Sequence, residues 1–144
     1  MQLRRGALRD HGATRDCQLL PLQALQRRSG AAASPNAHPA PGSFHIVEGE
    51  DRLRHWKPED GGEKWFCGDC GSSIFGRNPS HPDSIGIRMG TFDDDPGVRP
   101  SVRQFVRYAA PWEAIPDDDL PRHRESRHAL PDPGRKRASG RGDP

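Results

Sequence analysis

The residues with the clearest chemical potential are Cys67 and Cys70, in the run WFCGDCGSSIF at 65–75. Two thiolates separated by two residues can hold one tetrahedral ion, at about 2.3 Å from each sulfur. Gly68 and Gly71 let the backbone fold tightly enough for amides to face the sulfurs, which favours thiolate over thiol. Trp65 and Phe66, just before the pair, would shield one side from water. A redox pair of this spacing normally opens a helix after a strand in a βαβ unit, whereas β-forming residues flank this one on both sides. The Gly-flanked spacing also disfavours two bystander thiols. The pair therefore reads as half of a zinc-binding knuckle. A structural zinc takes four ligands, and this pair supplies two. Cys17 is the other cysteine and stands alone. His45, His55 and His81 lack ligand spacing to one another and read as surface or loop histidines.

Other reactive-looking residues have plainer readings. Asp93, Asp94 and Asp95 precede Pro96-Gly97, as expected of a solvated acidic turn rather than a cation site. Trp112, after Pro111, reads as a core plug over a sheet edge. Arg77 and Arg88 could meet an acidic ligand, but spacing alone assigns them no role.

The elements around the pair are short and mostly β. Phe44 to Val47 is a β-rich run, and Leu53 to Trp56 reads as its partner strand. Lys64 to Phe66 leads into the cysteines and Ser72 to Phe75 leaves them. Asn78 to Asp83 reads as a loop. Ser84 to Met89 alternates Ile85, Ile87 and Met89 on one face, as a half-buried strand does. Val102 to Tyr108 reads as a last strand with Val102, Gln104, Val106 and Tyr108 on one face, and Trp112, Ile115 and Leu120 close the domain. Residues 1 to about 42 carry no convincing apolar period. The expected division is an irregular segment over 1–28, a folded domain over 29–123 and a disordered tail over 124–144.

Composition fits a small core. Hydrophobic residues make up 31% of the 144, with 16 Gly and 15 Pro, and the mean hydropathy is −0.94. So little apolar content makes a stabilising metal plausible. A net charge of +2, with acidic clusters at 93–95 and 117–119, gives no continuous basic stripe for nucleic acid. No stretch approaches a membrane span. Three cysteines are too few for a disulfide framework, so a soluble, reducing, cytoplasmic setting is expected.

Five segments in order then carry a resemblance: RRSGAA at 27–32, FHIVEGE at 44–50, WFCGDCGSSIF at 65–75, IGIRMGTFDDDP at 85–96 and AAPWEAIPDDDLP at 109–121. From Ser29 to about Arg122 the chain resembles the glutathione-dependent formaldehyde-activating enzyme family, also called centromere-protein-V-like. The resemblance implies an all-β, Mss4-like (β-tent) zinc-binding domain and carbon–sulfur lyase activity. Family enzymes condense glutathione with formaldehyde to S-hydroxymethylglutathione. Two zinc sites are implied: a structural one joining an early Cys-x-Cys to Cys67 and Cys70, and a catalytic one from a Cys-rich stretch just before Ser29-Gly30.

The chain departs from that pattern at both amino-terminal motifs. MQLRRGALR stands where the early Cys-x-Cys belongs, and DCQLLPLQALQ precedes Arg27. Cys17 matches neither motif. For one choice of codons, a one-base shift can turn Asp16 to Gln23 into Thr-Ala-Asn-Cys-Ser-Arg-Cys-Lys and Met1 to Arg4 into Cys-Ser-Cys-Gly, so a reading-frame error upstream of about Arg27 would explain the gap. Read as written, the chain is expected to bind zinc weakly and to have no turnover. The alternatives are a noncatalytic zinc-stabilised β binding module and, third, a nucleic-acid-binding zinc ribbon, which the Asp clusters disfavour.

Overall fold

Cross-strand pairing of alternating side chains builds most of this molecule. The structure is a computed structural model that describes residues 8–10, 14–59 and 61–126. Its strands are β1 (Leu8–Asp10), β2 (Thr14–Leu20), β3 (Ser34–Pro39), β4 (Phe44–Ile46), β5 (Leu53–Trp56), β6 (Glu63–Cys67), β7 (Ser73–Asn78), β8 (His81–Arg88) and β9 (Pro100–Arg103), with one short helix, α1 (Gln23–Ser29). A seven-stranded mixed sheet runs in the order β5-β6-β7-β8-β3-β2-β9, and β1 pairs with β4 separately. Among the described strands, only β9 joins its neighbour β2 in parallel.

One cross-strand row carries the core. His55 faces Trp65, Trp65 faces Phe75, Phe75 faces Ile87, Ile87 faces Ala37 and Ala37 faces Cys17. Directly opposed residues share a sheet face, so this row lines one side from β5 to β2. Phe75, Ile87, Ala37 and Cys17 are at most 2% exposed. Trp65 stacks on Phe75 at 5.5 Å and on His55 at 4.7 Å. Phe44 and Ile46 of β4 pack on the same core, with Phe44 4.9 Å from Phe75. β4, to which β1 pairs, therefore lies against the apolar face.

Glu63 ties this face together at its rim. Its Oε2 accepts from Trp65 Nε1 at 2.9 Å and from Arg77 Nη2 at 2.9 Å and Nε at 3.2 Å. The Trp65 bond first, and then Arg77, hold the carboxyl below its usual range of about 4.5. A lowered folded-state value means that Glu63 contributes stability fully above that range, and loses it as pH falls through the lower folded value. Glu63→Gln should therefore flatten the loss of melting temperature below pH 4.5, which thermal unfolding across an acid pH series would show.

The amino-terminal third corrects the sequence reading. Residues over 14–39 are not irregular: β2 and β3 are interior to the sheet and α1 connects them. The residues of β3, Ser-Pro-Asn-Ala-His-Pro, hide this because the buried positions include Ser34 at 7% and Asn36 at 2% exposure. Pro35 and Pro39 flank the two positions, Asn36 and Ala37, at which β8 pairs, so their missing N–H groups fall outside that ladder. The expected β4–β5 pairing is also replaced, since β5 pairs with β6.

Three further expectations change. Asn78 to Asp83 is a hairpin, not a loop: Asn78 pairs with His81 across Pro79-Ser80, and Asn78 Oδ1 accepts from the Ser80 N–H at 3.0 Å. The last strand stops at Arg103. Val102 and Gln104 do share burial, at 1% and 3% exposure, but Phe105 adopts φ 58° and a 3-10 turn follows at Val106–Tyr108. Trp112 is 64% exposed and plugs no core. Instead residues 121–123 run along β9, with Arg103 N–H bonded to Pro121 O at 2.9 Å and His123 N–H to Arg103 O at 2.8 Å. The Arg103–Asp118 ion pair, at 2.6 Å, braces this cover over the sheet edge. Of the expected disordered tail, residues 127–144 lie outside the described residues, while Glu125 pairs with Arg107.

Candidate functional site

The cysteine pair sits on the connection between two adjacent strands. Cys67 ends β6, and the chain turns through Gly68 to Cys70 before β7 begins at Ser73. Cys67 N–H donates to Ser72 O and Gly71 N–H donates to Cys67 O, each at 2.9 Å, which closes the turn. Gly71 has φ +75°, a conformation that side chains disfavour. Gly68 is needed for a different reason: a Cβ there would meet Arg52 O at 3.0 Å and Arg54 Cγ at 3.1 Å. Its N–H donates to that same Arg52 O at 2.7 Å, docking the knuckle on the segment entering β5. Both glycines flagged in the sequence thus have identifiable structural duties.

The two thiols differ in environment. Cys67 is 3% exposed, packed with Leu53, Ile74, Phe75 and Ile87, while Cys70 is exposed. Cys70 Sγ lies 3.1 Å from Ser72 Oγ. The Ser72 hydroxyl, then the Ser72 backbone N–H and the Cys67 thiol, push the Cys70 thiol below its usual range. Hydrogen bonds to sulfur thus favour thiolate at the exposed member, as a metal-binding or nucleophilic cysteine requires. Ser72 supplies that effect, a role the sequence reading had given to the glycine-rich backbone alone.

Cys17 takes no part. It is 0% exposed in the middle of β2, and burial first, then Asp16, push its thiol up. It behaves as a small core residue. His45, His55 and His81 are all exposed, with the His55 ring stacked on Trp65, and among the described residues none of the three joins a group placed to hold a metal. Ser29-Gly30, where a second thiol-rich site was implied, is the end of α1: Gly30 has φ 70° and its N–H closes the helix on Gln26 O at 2.7 Å. Arg77 is engaged with Glu63, whereas Arg88 lies on the other face of the sheet. Asp95 is occupied as a turn acceptor, binding Gly97 N–H at 2.9 Å and pairing with Arg99.

These positions test the fit of zinc. Among the described residues no group of three or more His, Cys, Asp or Glu side chains is placed to hold a metal ion. Two neighbouring sulfurs do not satisfy a tetrahedral structural zinc, nor the three protein ligands of a catalytic one. The donor set as written does not fit the metal that the resemblance implies, although the Cys67–Cys70 turn has the form of half a site.

Comparison with known proteins agrees with the resemblance. No curated protein matches the chain. Among solved structures, a Rhodobacter sphaeroides protein from the Northeast Structural Genomics effort is similar, at 20% identity, covering 69% of this chain and 89% of that one with a TM-score of 0.48. The sequence model of the glutathione-dependent formaldehyde-activating enzyme family matches residues 22–108. That match takes in α1, strands β3 to β9 and both cysteines of the turn, more than half of the 144 residues. The chain belongs to the glutathione-dependent formaldehyde-activating enzyme family.

Proposed function

We propose that this chain is a zinc protein of carbon–sulfur lyase type by descent, with the Mss4-like (β-tent) fold, and that it lacks turnover as written. The proposed ancestral reaction condenses glutathione with formaldehyde to S-hydroxymethylglutathione, so the ligand class is a small thiol–aldehyde adduct. The observation that carries the reading is the combination of a two-thiol turn at Cys67 and Cys70, inside the family-matched residues 22–108, with the isolation of the third thiol in the interior of β2. A metal-dependent step needs its ligands converging on one point, and these three thiols do not converge. The three cysteines are free, which suits a reducing compartment such as the cytoplasm. No described helix is long and apolar enough to cross a membrane.

The test is direct. With zinc, glutathione and formaldehyde supplied, S-hydroxymethylglutathione should form at the protein-free rate when followed by exchange NMR. Acceleration that depends on the chain and is abolished by a chelator would overturn the claim of no turnover. The second reading, a noncatalytic binding module stabilised by a metal, is favoured by the same donor shortage. It predicts saturable glutathione binding without acceleration by the chain in which the amino-terminal cysteine motifs are restored.

A further inference from the structure

The face of the sheet opposite the core holds a group of cations without carboxylate partners among the described residues. Lys64 faces Gly76 across β6–β7, and Gly76 faces Gly86 across β7–β8. Two glycines in register contribute no side chain of their own here, leaving a shallow trough between β6 and β3 into which neighbouring side chains lean, with Lys64 Nζ 4.0 Å from where a Gly76 Cβ would be. Lys64 stands at one end. At the other, Arg88 follows Gly86 on the same face, and His38 and Asn36 of β3 lie beside Gly86, within 3.5–3.9 Å of where a Cβ would be. Arg28, from the last turn of α1, reaches over the same region, with its guanidinium carbon 5.7 Å from the Phe66 ring and 5.9 Å from the Trp56 ring.

These side chains are positioned rather than loose. Arg88 Nη1 donates to Ser34 Oγ at 2.8 Å and to Asn36 Oδ1, and both acceptors are buried. The rest of its guanidinium has no protein acceptor among the described residues. Arg28 Nε and His38 Nε2 are buried without a hydrogen-bond partner. None of the described ion pairs uses Arg28, Lys64 or Arg88. The acidic residue placed on this face by register, Asp16, lies opposite His38 and accepts from Gln18 Nε2 at 2.8 Å.

Their electrostatics are those of crowded, partly buried cations. Burial first, then Arg28, pulls Arg88 down to about 10. Burial, then Arg88 and Arg28, lowers Lys64. Gathering three like charges with partial desolvation is unfavourable unless something offsets it. Buried polar atoms left unpaired add to that cost. An oxyanion would relieve both, since guanidinium groups bind planar carboxylates and phosphates through paired N–H bonds and ammonium acts as a point charge.

We propose that the Gly76–Gly86 trough is a binding site for a small oxyanion, such as the carboxylate of an organic acid, held by Lys64, Arg88 and Arg28. This does not rest on the enzyme reading: the cations lie apart from the cysteine turn's hydrogen-bond set, and an anion can bind a chain that turns nothing over. The site also uses no residue before Arg28, so it is unaffected by the departures in the amino-terminal motifs.

Calorimetric titration of the full chain at low ionic strength tests it, with glutarate, inorganic phosphate and uncharged glutaramide as probes. Glutarate or phosphate should bind and raise the melting temperature, and glutaramide should do neither. Tighter glutarate identifies the carboxylate source, and tighter phosphate the inorganic one; either result supports the site. Lys64→Gln and Arg28→Gln should each weaken the anion about ten-fold, as loss of one charge-assisted contact does. Lys64→Gln should also leave the unliganded melting temperature equal or higher, because it removes repulsion and breaks no ion pair. Arg77→Gln, on the opposite face, should leave anion affinity unchanged. Absence of binding by both anions, equal binding by the two Gln variants and the parent, or binding of glutaramide as tight as glutarate would overturn the proposal.

Discussion

Phe75→Ala should leave most of the chain unfolded or close to it. Phe75 is 2% exposed and sits at the middle of the core row, between Trp65 and Ile87, with Phe44 of the covering strand 4.9 Å from its ring. Truncating a buried Phe costs about 3–5 kcal/mol, through lost transfer energy and the cavity left behind. The ring contacts with Phe44 and Trp65 place the cost toward the upper end of that range. A domain's total stability is roughly 5–15 kcal/mol, and 31% apolar content places this one toward the lower end. The backbone cannot close the gap easily, because the same strand is fixed on both sides by β6 and β8. Urea titration followed by tryptophan fluorescence should show the midpoint falling by more than half. A loss below about 1 kcal/mol would mean that the row does not carry the core.

The second large effect concerns the amino-terminal ligands. Replacing Asp16 to Gln23 by Thr-Ala-Asn-Cys-Ser-Arg-Cys-Lys, and Met1 to Arg4 by Cys-Ser-Cys-Gly, should convert a weak metal binder into one that retains zinc through dialysis. On the resemblance, the early Cys-x-Cys supplies the two thiolates that Cys67 and Cys70 lack, the second pair belongs to the other implied site, and a chelate tightens steeply once four donors share one ion. The first replacement falls on β2 and the turn before α1, immediately ahead of the Ser29-Gly30 helix end. Metal analysis per chain would read the gain, and chelator treatment should lower the melting temperature of the restored chain but not of the parent. The nucleotide sequence across codons 1 to 30 gives an independent check: cysteine codons in the alternate frame are required by the frame explanation, and their absence would end it.

How much of this could be read beforehand varies by element. β6, the turn at Cys67 and Cys70, β7 and most of β8 were legible, because Trp65, Phe75, Ile85 and Ile87 alternate and glycines mark the turn. β3 was not, although it is interior to the sheet. Its buried Ser34 and Asn36 are satisfied by Arg88, which stands 52 residues from Asn36 in sequence, and no local pattern announces such a partner. The β1–β4 pairing was hidden for the same reason, since strand pairing at long range leaves no local periodicity. Trp112 misled because a large aromatic beside proline suggests burial, whereas the segment around it is held by backbone bonds along β9 and by Asp118. The half-site at Cys67 and Cys70 was visible, while Ser72's part in it was not: a serine two residues on becomes a sulfur partner only through the turn. The cations at 28, 64 and 88 come from three elements and meet only after folding.

The most direct test of the account is zinc per chain, measured by plasma emission on protein purified without chelator and dialysed against metal-free buffer. Two neighbouring thiolates with no further converging donors among the described residues predict well under one equivalent retained, with little change in melting temperature on adding EDTA. A full equivalent of tightly held zinc per chain, lost together with the fold when Cys67 and Cys70 are both replaced by Ser, would contradict it.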